Sequence, residues 1–361
     1  MEQIQYFLGA NSPSGFYSLY AHLLPDEGAE GIFILKGGPG CGKSSFLRRV
    51  ARHAQAAGQR CVLVPCSGDP DSLDALILPE LGVAIADGTA PHVIEPRYPG
   101  AVDSYIDLGR FYDRRGLTPL RQDIIDAADG YKAQYTRVYR CLDAAGALRR
   151  DRRELILTPA LRARLAKRAA GIIRREIKKT GGSRGTAAPR FLSAVTCRGR
   201  LCLWETVGAQ ARRVYELSDP YGVSHELLSP ILAAALEAGH DAVACPDPMA
   251  PERLAHLILP GAGLAFVSSA PGMAYPQRPY RRLRLDAMAD PELCRANRAR
   301  LRFSQKVAAA LEDEAVSGLA RAKEAHDALE ALYNPHVDFD GVYAAADALA
   351  AQLLEPTASP Q

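Results

Sequence analysis

The chain has 361 residues, of which 48% are apolar, 24% charged and 7% aromatic, and it carries a formal net charge of +3. That balance is globular and the length allows roughly two domains of about 150 residues, while so small a charge implies no nucleic-acid partner by itself. No apolar run approaches the roughly 20 residues needed to cross a bilayer, and the start, MEQIQYFLGANSPSGFYSLY, has neither the basic residues nor the apolar stretch of a secretory signal, so no membrane contact and a cytoplasmic location are expected.

Residues 31 to 50, GIFILKGGPGCGKSSFLRRV, pass from a β-type apolar run through a glycine-rich turn into a helical pattern. Gly37, Gly42, Lys43 and Ser44 match GxxxxGK[ST], a phosphate-binding loop or Walker A, in the strand-then-helix setting the motif requires. Ile32 to Leu35 then form a buried parallel strand; Phe46, Leu47, Val50 and Ala54 line one face of the helix, and Gly58 ends it. The expected binding residues are Gly37, Gly38, Pro39, Gly40, Cys41, Gly42, Lys43, Ser44 and Ser45. The glycines let consecutive N–H groups point inward, the helix N-terminus adds its positive end, Lys43 supplies a point charge and Ser44 a hydroxyl for Mg²⁺. Cys41, at a helix N-terminus, is expected to be sensitive to alkylation.

Cys61 to Pro65 reads as the next strand. It leads into Ser67-Gly68-Asp69-Pro70-Asp71-Ser72-Leu73-Asp74, where Asp71 or Ser72 starts a helix as a cap, or Asp69 or Asp74 binds a substrate group or activates water. LGVAIADG, residues 81 to 88, is a strand ending in an acid, which puts Asp87 in the place of a Walker B aspartate at the ligand edge of the sheet. No Glu follows Asp87 directly as a base for water, and His92 is a phosphate sensor, an acceptor-binding group or a structural residue of the Pro91 turn.

The second half repeats the first. Tyr6-Phe7-Leu8 is answered by Arg190-Phe191-Leu192, and Leu76-Ile77-Leu78-Pro79 by Leu257-Ile258-Leu259-Pro260, 181 residues later. At that offset Ser224 stands for Lys43, His225 for Ser44 and Ser268 for Asp87, so the second unit should fold alike without holding Mg-nucleotide by the same contacts. Each unit carries an Ala-, Leu- and Arg-rich extension, and helical hairpins broken at Pro159 and Pro335 are expected. Within 149 to 179 there are twelve Lys or Arg against three Asp or Glu, a solvated face, a phosphate lid or a nucleic-acid contact. The expected plan is α/β: two tandem P-loop NTPase-like parallel-sheet domains, each with a helical hairpin extension. Its divisions are 1–118, a helical extension 119–180, a linker 181–189, a degenerate domain 190–290, a second helical extension 291–352 and a tail 353–361. The eight cysteines are scattered, with no CxxC pair and no zinc spacing, as expected of reduced thiols.

The combination of FILKGGPGCGKSS, DPDSLDALILPELGVAIADGTAPH and the repeated hairpins resembles a little-characterised family of bacterial duplicated P-loop ATPases, over essentially the whole chain. The resemblance implies ATP binding and no particular substrate, since members are called ATPases, P-loop NTPases or, loosely, nucleotide kinases. The expected activity is therefore an ATPase with ATP and Mg²⁺ as cofactors and one competent site, in which Lys43 and Asp87 are catalytic and Ser44 and Asp87 hold the metal. An arginine finger is expected from Arg278 to Arg284. The alternatives are a small-molecule or nucleotide kinase, with Asp69, Asp74 and His92 orienting the acceptor, and a nucleotide-controlled interaction protein that displays its hairpins to a partner.

Overall fold

The computed structural model describes residues 4–25, 29–96 and 98–355. In the first half these form β1 (Ile4–Gln5), β2 (Gly9–Ser12), β3 (Gly15–Ser18), β4 (Gly31–Lys36), α1 (Lys43–Ala56), β5 (Val62–Pro65), β6 (Leu73–Leu78), β7 (Val83–Asp87), β8 (Asp103–Asp107) and α2 (Arg114–Leu117). Long α3 (Arg121–Ile156) and α4 (Pro159–Glu176) follow. The second half repeats the plan with β9 (Ala187–Pro189), β10 (Ser193–Thr196), β11 (Gly199–Cys202), α5 (Trp204–Gln210), β12 (Arg213–Ser218), α6 (Ser224–Glu237), β13 (Ala242–Asp247), β14 (Ala250–Leu259), β15 (Leu264–Ser269) and β16 (Arg281–Arg284). It ends in α7 (Pro291–Ala296), α8 (Arg298–Tyr333) and α9 (Phe339–Leu354).

Each half is an α/β unit on a six-stranded sheet, in the orders β1-β5-β6-β7-β4-β8 and β16-β12-β15-β14-β13-β9. Read from matching edges, the two orders are the same. The sheets are mixed rather than parallel, because β6 and β14 each run antiparallel to both neighbours. The chain between β5 and β6 is too short for the dozen or more residues a parallel crossover needs, so it turns back. The helix start weighed at Asp71 or Ser72 is accordingly replaced by a strand. All six residues of β6 are buried, and a segment buried on both faces, apolar but for Asp74, has no period that separates strand from helix.

The halves meet about a local pseudo-twofold axis. Phe7 N–H donates to the Phe191 carbonyl and Phe191 N–H to the Phe7 carbonyl, both at 2.9 Å, and both rings are fully buried. Ala187–Pro189 pairs with β13, so the second unit begins inside the expected 181–189 linker, and α9 runs on to Leu354, past the expected tail boundary.

The helical extensions are exchanged rather than folded into hairpins. Val138, Leu142 and Ala145 of α3 pack against Ala308, Ala315 and Leu319 of α8, and the pairs Arg137–Glu314 and Arg300–Asp151 show that the two helices run antiparallel. At the far end of α3, α4 leaves its own half and packs Leu161, Leu165 and Ile172 on Leu227, Leu228 and Ile231 of α6. In the same way α9 returns to the first half, where Val342, Ala346 and Leu349 cover Phe46, Leu47 and Val50 of α1. Each fully buried Leu or Val contributes about 1.5–3 kcal/mol, which outweighs the exposed pair of Arg49 with Asp347 at the same junction. The basic segment 149–179 therefore lies with the second half and is no lid over the first; Arg152 is buried, and Arg149 pairs with Asp247 and Glu312. No helix among the described residues is long and apolar enough to cross a membrane.

A buried histidine makes the second half acid-sensitive. His256 on β14 is fully buried, accepts the Ser268 N–H at 3.2 Å, and leaves Nε2 without a partner. Burial pushes its pKa down to about 4, with Asp247 partly opposing. The unfolded chain takes up this proton near pH 6.5 and the folded chain only near 4, so stability is lost as pH falls through that window, by about 3 kcal/mol in all. Denaturation midpoints measured from pH 7.5 to 4.5 should show a steep acid slope that His256→Leu flattens; equal slopes in the two proteins would contradict this assignment.

Candidate functional site

Strand β4 delivers its C-terminal end to the glycine loop, and α1 starts directly after it. Gly40 and Gly42 have φ of +68° and +84°, which only glycine adopts without strain, and Gly42 stands at the N-cap of α1. The Lys43 ammonium is folded over this loop, donating to the Gly37 and Gly38 carbonyls at 2.9 and 3.0 Å. Because β7 pairs in parallel with β4, with Leu35 opposite Asp87, the Asp87 carboxylate arrives beside the lysine, 3.6 Å from Nζ. Thr89 fixes that carboxylate by donating from N–H and Oγ1 to Oδ1 at 2.8 and 2.6 Å. Ser44 Oγ accepts the Leu73 N–H at 3.0 Å, which ties α1 to the start of β6. Pro39 accepts from the Tyr112 hydroxyl, while Ser45 is exposed on the first turn of α1.

Cys41 departs from expectation. It is 1% exposed and burial pushes its thiol pKa up, opposed in part by Lys43, both of which argue against the expected sensitivity to alkylation.

Beyond the loop the floor turns acidic. Asp74 on β6 is buried, with its Oδ2 accepting from the Tyr20 hydroxyl and lying 3.2 Å from His92 Nε2. Burial raises the Asp74 pKa, with His92 opposing. Asp69 is bound instead to α8, through Lys323 at 3.4 Å. All of Asp69, Asp74, Asp87 and His92 line the same cleft as the loop residues 37–45, a space of about 800 Å³.

The opposite wall comes from the long helices α3 and α8. From α3 it receives Lys132 and the stripe Tyr131, Tyr135 and Tyr139; from α8 it receives Leu319, Lys323, His326 and Glu330. Glu330 makes the most telling contact: its carboxylate accepts the Gly40 N–H at 3.1 Å. The turn after α8 presses on the same place, where a Cβ at Gly40 would lie 2.7 Å from Asn334 Oδ1. Among the described residues no arginine lines the cleft. Arg281–Arg284 form the edge strand β16, where Arg282 pairs with Glu216 and Arg284 with Asp286, so the arginine finger expected from 278–284 is not at this site.

The second loop shows the same architecture with different chemistry. His225 Nδ1 accepts the Leu254 N–H, as Ser44 accepts that of Leu73, which confirms the 181-residue register in space. Here, however, Asp219 occupies the turn: its two oxygens accept the Val223 and Ser224 N–H groups at 2.9 and 2.7 Å. A buried carboxylate of the chain itself thus fills the anion position at the start of α6. Ser224 Oγ and Ser268 Oγ are spent on the Leu254 and Ala255 carbonyls.

No local motif marks Glu330, Lys323, His326 or the three tyrosines, because they lie up to 290 residues from the loop that they face. Tyrosines at i, i+4 and i+8 in an otherwise Ala- and Arg-rich helix were the available signal. The arrangement is that of a duplicated α/β protein with one glycine-rich loop open to a cleft and one whose turn is filled by its own aspartate. No family model, curated protein or solved structure matches the chain.

Proposed function

We propose that the first half is a P-loop unit that binds a nucleoside triphosphate, ATP, with Mg²⁺ and hydrolyses it, and that the second half is a non-binding scaffold. The observation that carries this reading is Lys43, held over the loop carbonyls and beside Asp87 at the mouth of a helix N-terminus. A bound polyphosphate would accept from the loop N–H groups and draw the ammonium away from its own carbonyls. Ser44 and Asp87 offer the hydroxyl and carboxylate oxygens that Mg²⁺ prefers. Binding also displaces Glu330 from Gly40, so nucleotide and α8 compete for one amide. The resemblance of GGPGCGKSS to duplicated ATPases supports the same reading.

Titration of the chain with ATP and Mg²⁺ tests it. One equivalent should bind, and a Val223→Gly, Ser224→Lys variant of the second loop should still bind only one, because Asp219 continues to fill that turn. Two equivalents bound by the unaltered chain would contradict the scaffold assignment.

A second reading has its own observation: Asp69, Asp74 and His92 line the same cleft as Lys43, where a phosphoryl acceptor would approach. ADP release that depends on an added hydroxyl compound would favour a kinase, and release equal with and without every pool tried would favour simple hydrolysis.

A further inference from the structure

Three donors of different chemistry meet on the floor of the cleft. Cys66 follows β5, Asp74 lies at the start of β6 and His92 follows β7; because β6 runs antiparallel between the other two strands, all three fall at one edge of the sheet. One ligand atom from each lies within 4.8 Å of the others. The 3.2 Å between His92 Nε2 and Asp74 Oδ2 equals the edge of a tetrahedron whose bonds to nitrogen and oxygen are about 2.0 Å. Asp74 and His92 are 5% and 6% exposed, and the Tyr20 hydroxyl orients the carboxylate from outside the cluster, as outer-shell donors orient metal ligands.

The internal duplication supplies an independent comparison. The 181-residue register puts Asp247, Ala255 and Met273 at the counterparts of Cys66, Asp74 and His92. The second half builds the same three strands without the set, so the sheet does not require it, and the set disappears together with Lys43, Ser44 and Asp87.

We propose that Cys66, Asp74 and His92 bind a divalent ion of the zinc type, with its fourth position open to the cleft. A thiolate, an imidazole and a carboxylate together suit a borderline-soft ion and not Mg²⁺, whose oxygen donors lie elsewhere in the cleft at Ser44 and Asp87. Three protein ligands and one open position mark an ion that takes a water or a substrate oxygen, and not one that staples the fold. The donors stand eight and eighteen residues apart in sequence, which is why no local spacing announces them. The assignment does not depend on the nucleotide reading.

Cobalt is the probe. The full chain, stripped of metal and titrated with Co²⁺, should bind one equivalent with d–d bands of tetrahedral intensity and a thiolate-to-cobalt charge-transfer band. Cys66→Ser should abolish the charge-transfer band, His92→Ala should weaken binding by about 100-fold or more, and Cys141→Ser should change neither. X-ray absorption on the unaltered chain with Zn²⁺ should give one sulfur in the first shell, a result independent of whether a variant folds. No bound cobalt, a first shell without sulfur, or a charge-transfer band that survives in a folded Cys66→Ser variant would overturn the proposal.

Discussion

Lys43→Ala is expected to abolish measurable nucleotide turnover, lowering kcat by roughly 10²- to 10³-fold, the scale of removing one fixed donor from developing charge. Its ammonium is seated on the loop itself, bonded to the Gly37 and Gly38 carbonyls and 3.6 Å from Asp87. The fold should survive, because this side chain is only partly buried and its partners are loop carbonyls and a single carboxylate; unchanged circular dichroism would show that. Arg at the same position should not rescue, since a planar fork does not fit where a compact ammonium sits. Hydrolysis by Lys43→Ala at the rate of the unaltered protein, in a preparation free of other ATPases, would remove Lys43 from the chemistry.

Glu330→Gln is expected to act in the opposite direction and tighten nucleotide binding by about tenfold. A carboxylate hydrogen-bonded to a backbone amide is worth about 1.5–3 kcal/mol, and discounting for a side chain about one-third exposed leaves roughly 1.4 kcal/mol, or one decade in Kd. The effect has two parts, a weaker competitor for the Gly40 N–H, since an amide oxygen accepts less strongly than a carboxylate, and loss of a negative charge facing the phosphates. Glu330→Ala should show at least as large a gain. Titration with a fluorescent ATP analogue measures both, and unchanged or weaker binding in the two variants would separate α8 from the site. A carboxylate sits on amides in both loops, but Asp219 belongs to its own turn whereas Glu330 is brought by a helix from the other half.

Much of the site was legible because its chemistry is local. Gly37 to Ser45 is a contiguous motif whose residue types are dictated by backbone curvature and charge, and Asp87 falls beside it because the register of β4 on β7 follows from two apolar runs. The duplication was legible too, since LILP recurs at a fixed offset and the shared apolar positions build the same sheet twice. What was not legible depends on long-range geometry. The direction of β6 is decided by the short link before it rather than by its own residues, which are all buried and apolar except for Asp74. The exchange of α4 and α9 between halves leaves no trace in sequence, because an apolar helix face reads the same whichever sheet it covers. Arg281–Arg284, expected to supply an arginine finger, form an edge strand instead, since Leu283 and the paired arginines complete a sheet that β12 leaves open.

The account rests on one loop holding a triphosphate and the other having closed on itself. A crystal structure of the full chain with Mg²⁺ and a non-hydrolysable ATP analogue tests this most directly. It should show phosphates between Gly37 and Ser44, Lys43 turned away from the Gly37 and Gly38 carbonyls, Glu330 withdrawn from Gly40, and Asp219 still bonded to Val223 and Ser224. Phosphate density against Ser224 and His225, with Lys43 still folded over an unliganded first loop, would contradict it.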